Sequence, residues 1–461
     1  MVEKIQNEKI FNWGVATSSY QIEGAHDTDG RGPSVWDVFS HTKGRVKNGD
    51  TGDIACDHYN KFYEDIILMK DLGVNSYRFS VSWPRIFPIG TEQKINQKGM
   101  DFYDRLVDML LENNITPFLT LNHWDMPQGL EDLGGWTNRE TIEHFVKYGH
   151  YMSRRLGDRV IDWITHNEPW CISFLGYIEG LKPPGLKNEW AKSLHTAHHL
   201  LLSHGKVIPE IKSNAKDSKV GITLNLNTAI PASNSEHDKK ACDFYDVQFN
   251  KLYLEPLYNQ KYPELLFKSL LQKNLIKQSD LTFVKAGDLE TVATKTDFLG
   301  VNYYSRGVIR SNEIEEEIND KPIVDLGPKT DFGWEIYPQG LYDLLKRLQV
   351  EYNVQNIIIT ENGCSYSDGP DENKAINDKK RIEYHKSHIK QIQIAINEGI
   401  PCTGYFAWSF MDNFEWAEGY SQRFGLIWVD FETLERIPKE SYYWYQNFIK
   451  SKEMSAFNER K

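Results

Sequence analysis

The feature that most limits the fold of this chain is an alternation of short apolar runs with longer stretches of helical spacing. The short runs are rich in β-branched and aromatic residues and are mostly apolar throughout, as expected of strands that are covered by helices. A helix between neighbouring strands is what parallel pairing requires. Eight such runs occur, at residues 11–16, 74–80, 116–122, 160–166, 219–226, 298–304, 356–360 and 403–409.

The stretches between these runs predict helices. In residues 65–72 apolar positions return every three or four residues, and Gly73 follows as a helix cap. Eight strands, each followed by a helix or a longer excursion, predict an α/β fold, a (β/α)₈ barrel whose long loops after the strands form the mouth. Similar helical spacing occurs at residues 100–111, 142–156, 190–211, 341–350, 382–396 and 442–449.

Nothing in the sequence divides the chain into parts. There is no linker, repeat or low-complexity tract, so residues 1–461 are predicted to form a single domain. This length exceeds that of an average domain, but α/β barrels often exceed it. The charged run at residues 312–321 is predicted to be a solvated loop.

Two of the predicted strands end in a glutamate. The fourth run leads into Asn167-Glu168-Pro169 and the seventh into Glu361-Asn362-Gly363. Each tripeptide alone is an ordinary turn sequence. Active sites of such barrels are built where the strands end, and strands four and seven are three steps apart around a ring of eight. We therefore expect Glu168 and Glu361 to face each other across the mouth.

Two opposed carboxyl groups with different roles are the equipment for glycoside hydrolysis. One acid protonates the departing oxygen, and the other group, as a carboxylate, attacks or stabilises the sugar cation. The acid must keep its proton near neutral pH, whereas the nucleophile must stay ionised. Arg78, at the end of the second run, is the predicted cation that supports the nucleophile.

Other strand ends carry polar and aromatic side chains that a purely structural barrel does not need. Asn302 and Tyr304 share one face of the sixth run, because side chains alternate with a period of two. Glu415, between two aromatic residues, would be costly to bury without a partner. The remaining members of this predicted ring are Gln21, His123, Trp124, Asn225, Trp408 and Trp416.

These motifs resemble those of glycoside hydrolase family 1, the β-glucosidase family. The resemblance spans nearly the whole chain and preserves the order of the family's motifs. Its marks are Asn12-Trp13-Gly14, Tyr77-Arg78-Phe79-Ser80, Asn122-His123-Trp124-Asp125, Asn167-Glu168-Pro169, Asn302-Tyr303-Tyr304, Thr360-Glu361-Asn362-Gly363 and Glu415-Trp416.

The resemblance implies a retaining (β/α)₈ hydrolase with Glu168 as acid and base and Glu361 as nucleophile. It further implies that Arg78, Asn302 and Tyr304 surround the two carboxyl groups, and that Trp334 forms the platform for the leaving group. Glu415 would accept hydrogen bonds from two hydroxyls of the terminal sugar. The other residues that the resemblance places around that sugar are Gln21, His123, Asn167, Trp408 and Trp416.

Two positions narrow the expected substrate within the family. Plant thioglucosidases of the family have Gln where this chain has Glu168, so O-glycosides are favoured. Members that act on 6-phosphosugars replace the Glu415-Trp416 pair with a Ser, and a carboxylate would repel a phosphate. The expected substrates are terminal β-D-glucosides that carry no phosphate, with galactosides and fucosides left open.

Three other functions stay open on sequence grounds. Transfer of the sugar to an acceptor other than water would use the same residues. A catalytically silent sugar-binding protein would also keep the pocket. A metal-dependent barrel enzyme would use His123, Glu168 and Glu361 as ligands, but the chain lacks His-Glu-x-x-His and has few further ligands at its strand ends.

Composition limits the partners and the compartment. The formal charge of −12 disfavours nucleic acid or an anionic membrane as partner, and a neutral carbohydrate fits better. The five cysteines are scattered, so neither a disulfide framework nor a metal site is expected, and no nucleotide-binding loop indicates a cofactor. We see no signal peptide or membrane span and expect a cytoplasmic protein. Homo-oligomers are left open.

Overall fold

The computed structural model describes residues 11–312 and 326–451. Met1–Ile10, where we saw no signal peptide, and residues 313–321 of the predicted charged loop lie outside this part of the chain.

Eight parallel strands form a closed barrel in chain order, which confirms the predicted (β/α)₈ architecture. The first strand pairs with the last, Asn12 lying beside Gly404, and so closes the ring. We number the barrel strands β1 Asn12–Ala16, β2 Ser76–Ser80, β3 Thr116–Asn122, β4 Asp162–Asn167, β5 Lys219–Asn225, β6 Phe298–Asn302, β7 Ile357–Asn362 and β8 Cys402–Trp408.

Every predicted strand is found, but some ends differ at the mouth. β7 continues two residues beyond the predicted end and so contains Glu361 itself, whereas β6 ends at Asn302, two residues early. The register between these strands shifts after Val301, and Asn302 then pairs with Glu361. Bulges of this kind re-aim side chains beside active sites.

Seven long helices surround the barrel and overlap all seven predicted helical stretches. The first ends at Gly73, whose φ of 83° is the left-handed cap conformation that was predicted. We number them α1 His58–Leu72, α2 Gln97–Glu112, α3 Glu140–Leu156, α4 Trp190–Asn214, α5 Pro338–Tyr352, α6 Lys379–Asn397 and α7 Glu440–Lys450.

The segment between β5 and β6 was not predicted in detail. It holds four further helices, Glu236–Asp246, Leu252–Asn259, Glu264–Gln272 and Asp288–Val292. A short strand, Ala229–Pro231, pairs with Gly307–Ile309 just beyond the ends of β5 and β6. This pairing extends the wall of the barrel mouth.

Apolar side chains fill the inside of the barrel below its mouth. Phe118, Ile164, Phe298, Ile358 and Phe406 are all at most 2% exposed and belong to one cluster. Burying one such side chain stabilises the fold by about 1.5–3 kcal/mol. Inward-facing positions nearer the strand ends are polar. The candidate catalytic side chains therefore lie between this apolar cluster and the mouth of the barrel.

The closing pair of strands depends on a close approach at one glycine. A Cβ at Gly14 in β1 would lie 2.4 Å from the ring of Phe406 in β8, so a larger residue there would force the two strands apart.

Within the described residues, no helix has the length and apolar character needed to cross a bilayer.

Candidate active site

Glu168 follows β4 directly and projects into the mouth. Its backbone has a φ of 48°, in the left-handed region, and its N–H donates to the carbonyl of Thr223 on β5 at 2.9 Å. Asn302 Nδ2 donates to Oε1 at 2.7 Å, and the thiol of Cys171 donates to Oε2 at 3.1 Å. The turn and the two donors fix the carboxyl group in one orientation.

The surroundings of Glu168 favour its protonated form. Burial, followed by the charge of Glu361, raises the pKa of Glu168 to about 7. The hydrogen bonds from Asn302 and Cys171 oppose that shift because they stabilise the ionised form. A carboxyl group of this kind keeps a proton near neutral pH and can give it to a leaving group.

Glu361, on β7, lies among donors that favour its ionised form. Arg78 Nη1 donates to Oε1 at 2.5 Å, and the hydroxyl of Tyr304 donates to Oε2 at 2.7 Å. Burial, and then Glu361 itself, raises the pKa of Tyr304 well above its usual value, so the tyrosine stays a donor. A carboxylate held between a guanidinium and a phenol is prepared to act as a nucleophile.

Two asparagines connect the two carboxyl groups. Arg78 Nη2 donates to Asn167 Oδ1 at 2.6 Å, and Asn302 Nδ2 donates to the same oxygen at 3.0 Å. The hydroxyl of Thr360 donates to Asn302 Oδ1 at 2.8 Å. All four of these side chains are at most 1% exposed. The network therefore fixes the relative positions of Glu168 and Glu361.

His123 and Trp124 follow β3 and complete the network on one side. Asn167 Nδ2 donates to His123 Nε2 at 3.0 Å, while Trp124 Nε1 donates to the Asn167 carbonyl at 2.8 Å. Burial, then the charges of Arg78 and Lys182, lowers the pKa of His123 well below its usual value. The ring is thus neutral, and its buried Nδ1 has no hydrogen-bond partner among the described residues.

The long segment after β8 supplies the apolar faces of the pocket. The rings of Trp408 and Trp416 both lie 6.0 Å from that of His123, with interplanar angles of 20° and 18°. Gln21 Nε2 donates to Glu415 Oε2 at 3.4 Å. Burial raises the pKa of Glu415, and the charge of Lys182 opposes the shift. Indole faces beside polar groups suit a sugar ring, which presents C–H groups and hydroxyls.

Trp334 lies on the outer side of Tyr304. Its ring centroid is 5.1 Å from that of Tyr304 and 4.2 Å from that of Phe332, and all three pack on Phe424. Asn225, at the end of β5, is half-buried and lies opposite Asn302 in register. These residues border the mouth where a leaving group would extend from the carboxyl pair.

Comparison with known proteins identifies the family of this chain. A model described as glycosyl hydrolase family 1 matches residues 4–454. The chain belongs to glycosyl hydrolase family 1.

Curated relatives and solved structures of the family cover this chain almost completely. A 1,4-beta-D-glucan glucohydrolase of Thermotoga neapolitana is 46% identical over 446 residues, covering 96% of this chain and 97% of the relative. A bifunctional beta-D-glucosidase/beta-D-fucosidase of Bifidobacterium breve is 41% identical, covering 96% and 97%. The structure of a family 1 β-glucosidase from Thermotoga maritima has a TM-score of 0.88 at 46% identity, covering 95% and 97%.

In this family 1 enzyme the predicted site residues lie together at one end of the barrel. Tyr303 points away from its neighbours, as predicted, and its hydroxyl donates to the carbonyl of Tyr337. Sequence reasoning missed Cys171 and Thr360, which contact the carboxyl network, and Lys182, whose ammonium packs on the rings of Trp124 and Trp416. Cys171 lies one helical turn after Glu168, a spacing that can indicate contact. For Lys182 the sequence carries no comparable signal.

Proposed function

We propose that this family 1 enzyme is a retaining β-glucosidase. It would release terminal, non-reducing β-D-glucosyl residues from unphosphorylated oligosaccharides or from aryl and alkyl glycosides. The observation that carries the proposal is the contrast between two neighbouring glutamates, one held protonated by burial and one held between Arg78 and Tyr304.

In the first step Glu168 donates its proton to the glycosidic oxygen, and the bond from that oxygen to the anomeric carbon breaks. A carboxylate oxygen of Glu361 forms a bond to the same carbon from the opposite face. The product is an alcohol and a glycosyl ester of Glu361 with inverted configuration. Formation of the ester removes the negative charge that raised the pKa of Glu168, so this pKa falls and Glu168 stays ionised, as a general base must be.

In the second step Glu168, now ionised, takes a proton from a water molecule as the water attacks the anomeric carbon. The ester bond to Glu361 breaks, and the second inversion restores the β configuration. Arg78 and Tyr304 bind the carboxylate of Glu361 as it departs, and both contacts strengthen with its returning charge.

The choice of glucose is supported by the relatives and by the polar groups around the pocket. The similar proteins from both Thermotoga species carry names of glucose-releasing enzymes, and the protein of Bifidobacterium breve adds fucosides. Glu415, whose Oε2 accepts from Gln21 Nε2 at 3.4 Å, offers a carboxyl acceptor to the hydroxyls of a neutral sugar.

We also infer that the enzyme acts in the cytoplasm. Cys56, Cys171, Cys242 and Cys364 are free and buried, which fits a reducing compartment. A labelled protein fractionating with periplasmic or secreted proteins would contradict this inference.

Two variants test the roles of the glutamates. Glu361→Gly should lose hydrolysis of an aryl β-glucoside, and added azide should rescue it to an α-glycosyl azide, because azide replaces the nucleophile. Glu168→Ala should slow the reaction about 10²–10⁴-fold on poor leaving groups, the range of general acid catalysis. Its azide product should have the β configuration.

Glu131→Gln is the matched control. Burial also raises the pKa of Glu131 to about 7, but this residue lines a small cavity with Trp136 and Tyr177, and neither Glu168 nor Glu361 lines that cavity. Its variant should keep hydrolytic activity. A β-glycosyl azide from Glu361→Gly together with an α-glycosyl azide from Glu168→Ala, or full activity of Glu361→Gly without azide, would refute the assignment.

A further inference from the structure

Lys182 places an ammonium group against the pocket without belonging to the carboxyl network. It follows Gly180 in the loop after the wide helical turn Cys171–Glu179. Its Nζ lies 3.7 Å from the ring centroid of Trp124, 5.1 Å from that of Trp416 and 5.7 Å from that of Trp36. The side chain is half-buried.

Two of these indoles, Trp124 and Trp416, belong to the predicted ring of residues at the strand ends. Trp416 follows Glu415 directly, and its ring lies 4.5 Å from that of Trp124 and 6.0 Å from that of His123. The ammonium is thus on the side of the pocket that carries Glu415 and His123.

Charges in the pocket also indicate that Lys182 faces it. Burial lowers the pKa of Lys182, and the nearby acidic groups oppose the shift. These groups are Cys171, Glu415, Glu168 and Glu361, so one cation is exposed to all three pocket carboxyl groups. In return, Lys182 opposes the upward shift in the pKa of Glu415.

The hydrogen-bonding capacity of the ammonium is unused by the protein residues that the structure describes. There, its contacts are the faces of three indoles, which attract a cation but are not oxygen acceptors. A lysine ammonium has three donors and no acceptor. A group with three N–H bonds beside a sugar pocket can donate to hydroxyl oxygens.

We propose that Lys182 is a specificity-determining residue that binds the terminal sugar, donating to a hydroxyl oxygen whose own proton is donated to Glu415. Such a hydroxyl accepts from an ammonium and donates to a carboxyl oxygen, and its hydrogen bond from Lys182 is charge-assisted. The inference rests on the proposed glycosidase function and adds a cation to its set of recognition groups.

A lysine in this position should discriminate between ligands by their charge. A neutral sugar gains from both Lys182 and Glu415, whereas a ligand with a cationic ring nitrogen is repelled by the ammonium. Isofagomine and its lactam form a suitable pair, because they share ring hydroxyls but only isofagomine is a cation at neutral pH. Removing the charge of Lys182 should therefore change their affinities unequally.

The experiment compares Lys182→Met, Lys182→Arg and the control Lys187→Met, which removes an exposed lysine of the same loop. Calorimetry at pH 7 gives the dissociation constants of both ligands, and kinetics use an aryl β-glucoside. In Lys182→Met we expect the lactam to bind about 10-fold more weakly or worse, the loss of a hydrogen bond from a charged donor. We expect KM to rise more than kcat falls, and the affinity ratio to move about 10-fold towards isofagomine. The Lys182→Arg variant should largely restore the affinity for the lactam. The Lys187→Met variant should have the dissociation constants and kinetic constants of the wild type.

Three results would overturn the proposal. The first is a Lys182→Met enzyme with unchanged affinities for both ligands, which would leave the lysine a packing role on the indoles. The second is equal weakening of both ligands. The third is a wild-type preference for an aryl β-glucuronide over the glucoside, which would make an anionic sugar the partner of Lys182. Failure of the proposed function is separate, since it would appear as a wild type without turnover of any aryl β-glycoside.

Discussion

At the scale of single residues, the site obtains two functions from one type of side chain. Glu168 and Glu361 differ in what surrounds them, since only Glu361 contacts a guanidinium. The donors to Glu168 are an amide and a thiol, which are weaker than a cation at holding a negative charge. On the proposed mechanism, the environment, and not the residue type, assigns the acid and the nucleophile.

This assignment predicts the pH dependence of the reaction. Only protonated Glu168 can protonate the leaving group, so kcat/KM should fall as pH rises through the pKa of Glu168, about 7. The measurement is a pH profile of kcat/KM on an alkyl β-glucoside, whose leaving group needs the proton. An alkaline limb above pH 9 would contradict the assignment of Glu168.

The thiol of Cys171 should influence the pH at which kcat/KM falls on the alkaline side. Its thiol hydrogen bond favours the ionised form of Glu168, so Cys171→Ala should raise the pKa of Glu168. A lost hydrogen bond of this type is expected to move the limb upwards by about 0.3–1 pH unit. Cys242→Ala, in the helix Glu236–Asp246, is the control and should leave the profile unchanged. A shift to lower pH would show that the thiol does not stabilise the carboxylate.

How far the sequence predicted the site depended on where each residue lies. Asn302 and Tyr304 were predicted to share a face by the period of a strand, and their contacts with Glu168 and Glu361 are as expected for that face. Lys182 was missed, because its loop has no periodicity and only the folded chain brings it to Trp416.

At the scale of structural elements, the segment that carries Trp408, Glu415 and Trp416 is held by one buried carboxylate. Asp412 Oδ1 accepts from Lys439 Nζ at 2.8 Å, and its Oδ2 accepts from Arg423 at 2.7 Å. Lys439 is fully buried directly before α7, and burial lowers its pKa to about 8. The ion pair therefore connects the sugar-binding segment to the last helix of the barrel.

Lys439→Met should strongly destabilise the protein, because it leaves Asp412 buried with one cation fewer. Breaking a buried ion pair typically costs about 3–5 kcal/mol of unfolding free energy. Lys374→Met is the matched control, since Lys374 pairs with Glu435 at 2.6 Å but both side chains are exposed. It should cost less than about 1 kcal/mol. Urea denaturation of both variants measures the difference, and equal losses would contradict the role given to Asp412.

The strands and outer helices were predictable for the same physical reason that they form. Their apolar spacing has a clear period, because each buries one defined face. The segment between β5 and β6 was not predictable in this way. Its helices are short, one contains Pro256, and a wide π-helical turn, Val247–Lys251, interrupts the period. The ends of β6 and β7 also differed, because their bulge depends on pairing between distant residues.

At the scale of the whole molecule, the site needs strands from both ends of the chain. Gln21 comes just after β1 and contacts Glu415, which lies 394 residues later. Arg78 on β2 contacts Glu361 on β7, and Asn302 on β6 contacts Glu168 after β4. Because β1 pairs with β8, these contacts form only when the ring closes. We propose on this basis that the chain is a single domain.

A single domain should unfold as one cooperative unit, and a sugar mimic should stabilise all of it. Isofagomine lactam would contact residues after β1, β3, β4, β7 and β8, so no part of the ring could open without losing the ligand. At a concentration 100 times its dissociation constant, it should add about 2.7 kcal/mol to the unfolding free energy. Calorimetry, tryptophan fluorescence and far-ultraviolet circular dichroism should report one coincident transition that moves upwards as a whole. Two separable transitions, of which the ligand shifts only one, would divide the chain into domains and place the pocket in one of them.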